Sequence, residues 1–211
     1  MKNWLFFDVG FTLIDETQCY QDHVLQCTQQ LALEGIHVTP EAYYQQMIDA
    51  SKQGQKPIKT VWERYTQKAK PAWKYTGEKR YSETIATLEK LRENLHLGII
   101  ANQGKGLRER LEAHGIADYF ELIVSSAEVG MKKPSPDIFI HALQQANVAA
   151  KSCAYIGDRC DNDIIPAKKL GFMTVRIMQG LGQYQPEHPI FHSDHTVQNL
   201  SELVELFSKK G

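Results

Sequence analysis

Long apolar runs are missing from this chain: nothing in its 211 residues approaches the roughly 18–20 consecutive apolar positions of a membrane-spanning helix. A dominant charge is missing too. Lys and Arg number 24 against 25 Asp and Glu, a formal net charge of -1, so no overall field favours nucleic acid or an anionic membrane. Cysteine is sparse, and Cys19, Cys27, Cys153 and Cys160 form no CxxC or CxxH pair, which suits reduced thiols better than a disulfide frame. Repeats, low-complexity segments and the basic and apolar regions of a signal peptide are absent as well. These absences predict a cytoplasmic protein with neither nucleic acid nor membrane as partner. A length of 211 residues with 42% hydrophobic content is enough for one sizeable core, or for a core plus a small accessory domain.

What is present starts at once. Trp4, Leu5, Phe6 and Phe7 form an unbroken apolar run that stops on Asp8, with Gly10, Thr12 and Leu13 following. Such a run suits a strand buried on both faces, as in a parallel sheet. Sheets of that kind place their chemistry at the carboxyl ends of strands. Asp8 either belongs to such a site or merely turns the chain after the strand.

Beyond Leu13 the pattern is helical for some 65 residues. Tyr20, Val24, Cys27 and Leu31 share a face, and Gly35 closes that helix. Thr39-Pro40-Glu41 signals a second start, and a third helix is expected from near Thr60 to about Ala69 or Lys70, ahead of Pro71. This stretch holds Trp62, Trp73 and most of the tyrosines, which serve either a small helical core or the edge of a lid. Asp15 and Glu16 read first as solvated charges at its start; the alternative is that one of them, or a residue of the helical stretch, supplies an acid to a nearby site.

From Ser82, expected to cap a helix, the rhythm alternates. Strands are predicted at Leu97–Ala101, Glu121–Ser125, Cys153–Ile156 and Met173–Ile177, with a short one near Thr196 and helices between. That order implies an α/β fold, a doubly wound, Rossmann-like parallel sheet with right-handed crossovers and helices on both faces.

The strand ends then converge on one crevice. Asp8 ends the first, Asn102 follows the second, Lys132-Lys133-Pro134 lies beyond the third, and Asp158 follows the fourth with Asp161 and Asp163 close behind. Carboxylates crowded in this way repel unless a cation sits among them. Hard oxygen donors favour Mg2+, which retains sites for water and a substrate phosphate. A lysine there neutralises a substrate anion or orients a nucleophilic carboxylate. Lys132 and Asp161 read as a surface charge and a helix-start acid, Cys160 as inert, and His188, His192 and His195 as surface residues.

Asp8-Val9-Gly10-Phe11-Thr12-Leu13, Ile99-Ile100-Ala101-Asn102, Gly130-Met131-Lys132-Lys133-Pro134 and Gly157-Asp158 through Asp163 together resemble the haloacid dehalogenase superfamily of phosphotransferases, in order and spacing. The resemblance implies Asp8 as a nucleophile that becomes an acyl phosphate. It implies a metal held by Asp8, the Gly10 carbonyl, Asp158 and Asp163, and phosphate held by Asn102 and Lys133, with Thr12 supporting the loop. The helical stretch resembles that family's cap, which divides the chain into a core of 1–14 and 82–211 and a cap of 15–81.

Two departures stand out. Phosphatases of the family usually carry an aspartate, the general acid and base, where this chain has Gly10, and a hydroxyl residue where it has Ala101. Losing general acid–base help costs about 10²–10⁴-fold in rate. The expectation is a magnesium-dependent phosphatase acting on a small phosphorylated metabolite. The alternative is a catalytically impaired relative that binds a phosphorylated ligand or partner without turnover. Carbon–halogen displacement is disfavoured, because it has no use for the metal-binding acids at Asp158 and Asp163. Substrate identity and oligomeric state are not readable from the sequence.

Overall fold

A computed structural model describes residues 3–208. In chain order its strands are β1 (Trp4–Phe7), β2 (Ile14–Asp15), β3 (Lys79–Arg80), β4 (His96–Ala101), β5 (Leu122–Ser125), β6 (Cys153–Gly157), β7 (Met173–Ile177) and β8 (His195–Val197). Its helices are α1 (Thr17–Leu33), α2 (Pro40–Lys52), α3 (Pro57–Tyr65), α4 (Thr84–Arg92), α5 (Leu107–Ala113), α6 (Ser126–Val129), α7 (Pro136–Ala146), α8 (Ile165–Leu170) and α9 (Glu202–Ser208). Among the described residues six strands form one sheet in the order β5-β4-β1-β6-β7-β8. Every neighbouring pair in it is parallel. The doubly wound α/β fold read from the sequence is the fold observed.

Period-two alternation divides the sheet into two apolar faces. Leu5, Phe7, Leu97, Ile99 and Ile156 pack with Leu88 of α4, Leu111 of α5 and Leu203 of α9. Phe6, Ile100 and Tyr155 pack on the other side with Ile138 and Phe139 of α7 and Ala167 of α8. Each fully buried Leu or Phe contributes about 1.5–3 kcal/mol. Gly98 makes one of these contacts possible: it pairs with Phe6, and a Cβ there would lie 2.7 Å from the Phe6 ring.

Helices α1, α2 and α3 bury a third cluster around Val24, Leu31, Tyr43, Met47, Val61 and Trp62. Thr39 caps α2 as expected, accepting from Ala42 N at 3.2 Å, with Pro40 at the first helical position. The third helix differs from expectation. It starts at Pro57, whose fixed φ suits a first turn, and stops at Tyr65, after which Trp62 Nε1 donates to Lys68 O at 2.7 Å. Ser82 is not a cap either. Helix α4 begins at Thr84, whose hydroxyl donates to Leu13 O, while Ser82 turns to the Glu83 carboxylate.

Two small elements escaped the sequence reading because two- and four-residue segments carry no periodicity. One is the antiparallel pair β2–β3, where the chain leaves the sheet and returns; the other is α6.

Candidate active site

Topology makes the crevice. The chain runs from β1 to β4 and β5 on one side, then returns to β6 on the other, so the carboxyl end of β1 is the point where winding reverses. Asp8 stands there, its backbone N–H donating to Ile156 O at 2.8 Å. The next residues fold back sharply. Leu13 N and Ile14 N both donate to Val9 O, and Phe11 takes a positive φ of 52°.

Asp8, Asp158 and Asp163 each bring a carboxylate oxygen to within 4.8 Å of the others'. Lys133 binds this cluster from below. Its buried ammonium donates to Asp8 Oδ1 at 2.8 Å, Asp163 Oδ1 at 2.6 Å and the Tyr155 hydroxyl at 2.8 Å, which uses all three of its protons. Burial alone would lower the lysine's pKa, but the charges and hydrogen bonds of Asp163 and Asp8 outweigh it and the pKa rises. One ammonium among three carboxylates leaves the cluster formally negative. Asp158, 3% exposed, forms no ion pair among the described residues. Burial, then Asp163 and Asp8, push its pKa well above the usual carboxylate range, and burial lifts Asp163 to about 6 against the pull of Lys133. A buried, all-oxygen set short of positive charge fits a hard divalent cation.

The other residues expected at the site lie around this cluster. Asn102 clamps the Lys133 backbone from both ends of its amide: Oδ1 accepts from Lys133 N at 2.8 Å and Nδ2 donates to Lys133 O at 2.9 Å. Its second amide hydrogen is what is left for a ligand. Thr12 is fully buried, its backbone N–H donates to Val9 O, and its hydroxyl has no partner among the described residues. Gly10 lies in the tight loop, bridged to Ile14.

One expectation is overturned. Glu16 is not a solvated charge; it is 6% exposed, and burial followed by repulsion from Asp8 lifts its carboxyl to about 7. A Cβ placed on Gly10 would lie 2.6 Å from Glu16 Oε2, so this carboxyl fills the space that a side chain at position 10 would take.

Three further residues were missed. Tyr155 donates to Ile100 O at 2.7 Å while accepting from Lys133; its signal was a lone polar tip in an otherwise apolar strand. Gln103 reaches Glu16 Oε1 at 3.4 Å and accepts from Arg110 at 2.9 Å. Arg159 pairs with Asp161 at 2.7 Å, so Asp161 is engaged away from the acidic cluster.

The helical insert makes several contacts with loops at this end of the sheet. Ser51 of α2 donates to Leu181 O at 2.5 Å. Phe11, Tyr20 and Trp73 form an aromatic ladder from the β1 loop into the insert, with ring centroids 5.1 and 4.9 Å apart. Arg110 reaches across from α5, bidentate to Glu78 and stacked on Tyr75. The cavity bounded by Tyr20, Ser51, Asp158 and Gly182 measures about 10 Å³, room for about one water.

A family model described as haloacid dehalogenase-like hydrolase matches residues 5–177. A glyceraldehyde 3-phosphate phosphatase of Methanocaldococcus jannaschii is 38% identical over 129 residues, 60% of this chain and 55% of its own length. The chain spans about half the length of the first curated relatives it matches. Among solved structures, a HAD phosphatase from Thermococcus onnurineus superposes with a TM-score of 0.65 at 23% identity, over 98% of this chain and 97% of its own. L-2-haloacid dehalogenase from Xanthobacter autotrophicus superposes with a TM-score of 0.68 at 16% identity over the full length of both chains. At such identities these likenesses establish the fold, which phosphatases and dehalogenases share.

Proposed function

The chain belongs to the haloacid dehalogenase-like hydrolase family, and on that footing we propose that it is a magnesium-dependent phosphatase of small phosphorylated metabolites, with Asp8 as nucleophile. The observation that carries the reading is the meeting of Asp8, Asp158 and Asp163 around a single lysine. A carbon–halogen displacement has no need of a negative cluster that calls for a divalent cation.

Asp8 attacks phosphorus and forms an acyl phosphate, which water then hydrolyses. Phosphoryl transfer asks the protein mainly for alignment and charge neutralisation. Lys133 holds Asp8 Oδ1, which fixes the carboxylate's direction, and Asn102 fixes Lys133 in turn through its backbone. The Asp8, Asp158 and Asp163 carboxylates, with the Gly10 carbonyl, would hold Mg2+, which neutralises charge on the transferring phosphoryl oxygens. The second amide hydrogen of Asn102 and the Thr12 hydroxyl, unpartnered among the described residues, would be neutral donors to the phosphoryl oxygens.

Residues 15–81 act as a cap over the core of 1–14 and 82–211. The cavity of about 10 Å³ beside Asp158 is smaller than a phosphate ester, and on this reading the insert opens to admit substrate and excludes water on its return.

The test is hydrolysis of an aryl phosphate with Mg2+, with chelator, and in Asp8→Asn. Turnover should need Mg2+ and fall by at least about 10³-fold in the variant. Turnover indifferent to either change overturns the reading. Thermal stabilisation by phosphorylated ligands without any turnover favours the binding-only alternative.

A further inference from the structure

Hydrolysis of an alkyl phosphate needs a proton for the departing oxygen and, later, a base for the attacking water. Most polar groups at the end of β1 are already committed. Lys133 has spent its three protons, Asp163 accepts from Lys133 and from Arg159 N, Asp8 is the attacking group, and Asp158 belongs to the set that would hold the cation. Glu16 is different. It forms no ion pair among the described residues, and its one hydrogen bond is the long contact from Gln103. That contact has a defined sense: Arg110 binds Gln103 Oε1, which leaves Nε2 to face the carboxyl. The carboxyl also lies in the loop's open corner, where a Cβ on Gly10 would stand 2.6 Å from Oε2 and 2.9 Å from Oε1. Glycine at position 10 is what lets it in.

We infer that Glu16 is the proton donor and acceptor of the phosphatase, reaching from the start of α1 into the space left empty by Gly10. The assignment rests on the phosphatase reading and deepens it. As Asp8 bonds to phosphorus and the bond from phosphorus to the ester oxygen breaks, the Glu16 proton passes to that oxygen and a neutral alcohol leaves. In the second half the Glu16 carboxylate takes a proton from water, whose oxygen attacks the acyl phosphate. The bond from phosphorus to Asp8 breaks, inorganic phosphate departs, and Glu16 is protonated again. Gln103 and Arg110 are positioning residues that aim the carboxyl.

Leaving-group chemistry separates this role from a structural one. With Mg2+ present, near-isosteric Glu16→Gln should slow hydrolysis of an alkyl phosphate about 10²–10⁴-fold. The nitrophenolate of a nitrophenyl phosphate leaves without a proton, so the same variant should release nitrophenolate in a near wild-type burst and accumulate acyl phosphate. Gly10→Asp alone should not raise activity, because it forces two carboxylates into one space. Gly10→Asp combined with Glu16→Ala should restore alkyl phosphate turnover to within about tenfold of wild type, since a carboxylate returns to the same corner.

Alkyl phosphate turnover unchanged in Glu16→Gln overturns the assignment alone. So does a loss in the first, phosphoryl-transfer step that is equal for both esters and is not rescued by the double variant. Wild-type protein that hydrolyses neither ester and forms no acyl phosphate overturns the phosphatase reading, and this assignment with it.

Discussion

The carboxyl end of the sheet and the interior of the helical insert both bury polar groups, and they do so in opposite ways. At the strand ends the buried groups are charged: Asp8 and Asp163 share one lysine, Asp158 beside them has no ion pair among the described residues, and the cluster keeps a net negative charge. Inside the insert the buried groups are neutral. His23 is 2% exposed, its Nδ1 has no partner among the described residues, and burial lowers its pKa to about 4. Tyr43 and Cys27 beside it are likewise pushed up, toward their neutral forms, by burial. A protein interior normally enforces the second arrangement, because an unpaired charge there is expensive. The first persists where a ligand is expected to supply the missing positive charge.

Removing the lysine is the strongest way to break that comparison. Lys133→Met strands Asp8 and Asp163 without their shared ammonium, which for a buried pair costs about 3–5 kcal/mol. Urea unfolding with chelator at pH 8 should show that loss. At pH 5 the loss should shrink, since Asp163, already lifted to about 6, can take up a proton instead. A change under about 1 kcal/mol at pH 8 would mean that the lysine contributes no more than a surface pair.

The two regions also answer acid with opposite signs. His23 has a folded pKa of about 4, below its ordinary 6.5, so the unfolded chain binds its proton first. Its contribution is intact above pH 6.5 and is lost as pH falls toward 4, amounting to about 2 kcal/mol between pH 7 and pH 5. Asp158 and Asp163 have raised folded pKa values. The folded chain binds their protons first, so acidification relieves a penalty there. His23→Gln should therefore flatten the acid side of the stability curve by about 2 kcal/mol, measured as the change in urea midpoint from pH 7 to pH 5. An unchanged slope would show that His23 titrates as an exposed residue does. Mg2+ should flatten only the part owed to the aspartates.

Most of the sheet was legible because its signals are local. An apolar run ending on Asp8, a Lys-Lys-Pro segment and a Gly-Asp pair after an apolar strand can each be read without knowing what they touch. Tyr155, Gln103 and Glu16 could not be read that way. Tyr155 matters through the register that sets β6 beside β1, and Gln103 through an arginine of α5. Glu16 lies on the far side of a tight loop, and only the doubling back of that loop on Val9 carries its carboxyl to Gly10. The missing side chain at position 10 was visible in the sequence; that Glu16, rather than Asp15 or a residue of the insert, fills its place is visible only in three dimensions.

Tyr155 sharpens the comparison at its smallest scale. Its hydroxyl accepts from Lys133 at 2.8 Å and donates to Ile100 O at 2.7 Å, so Tyr155→Phe leaves one ammonium proton and one carbonyl unpaired in a dry site. A hydrogen bond to a charged group contributes about 1.5–3 kcal/mol, and the loss of stability should be of that size. Asp8 and Asp163 still hold the lysine at 2.8 and 2.6 Å, so its aim should survive and turnover should fall by less than about tenfold. A fall of 100-fold or more without further unfolding would mean that the two carboxylates alone do not direct the ammonium. The neutral hydroxyl would then be the part that orients Asp8, and the division between a charged site and a neutral interior would run through the middle of Lys133's own coordination.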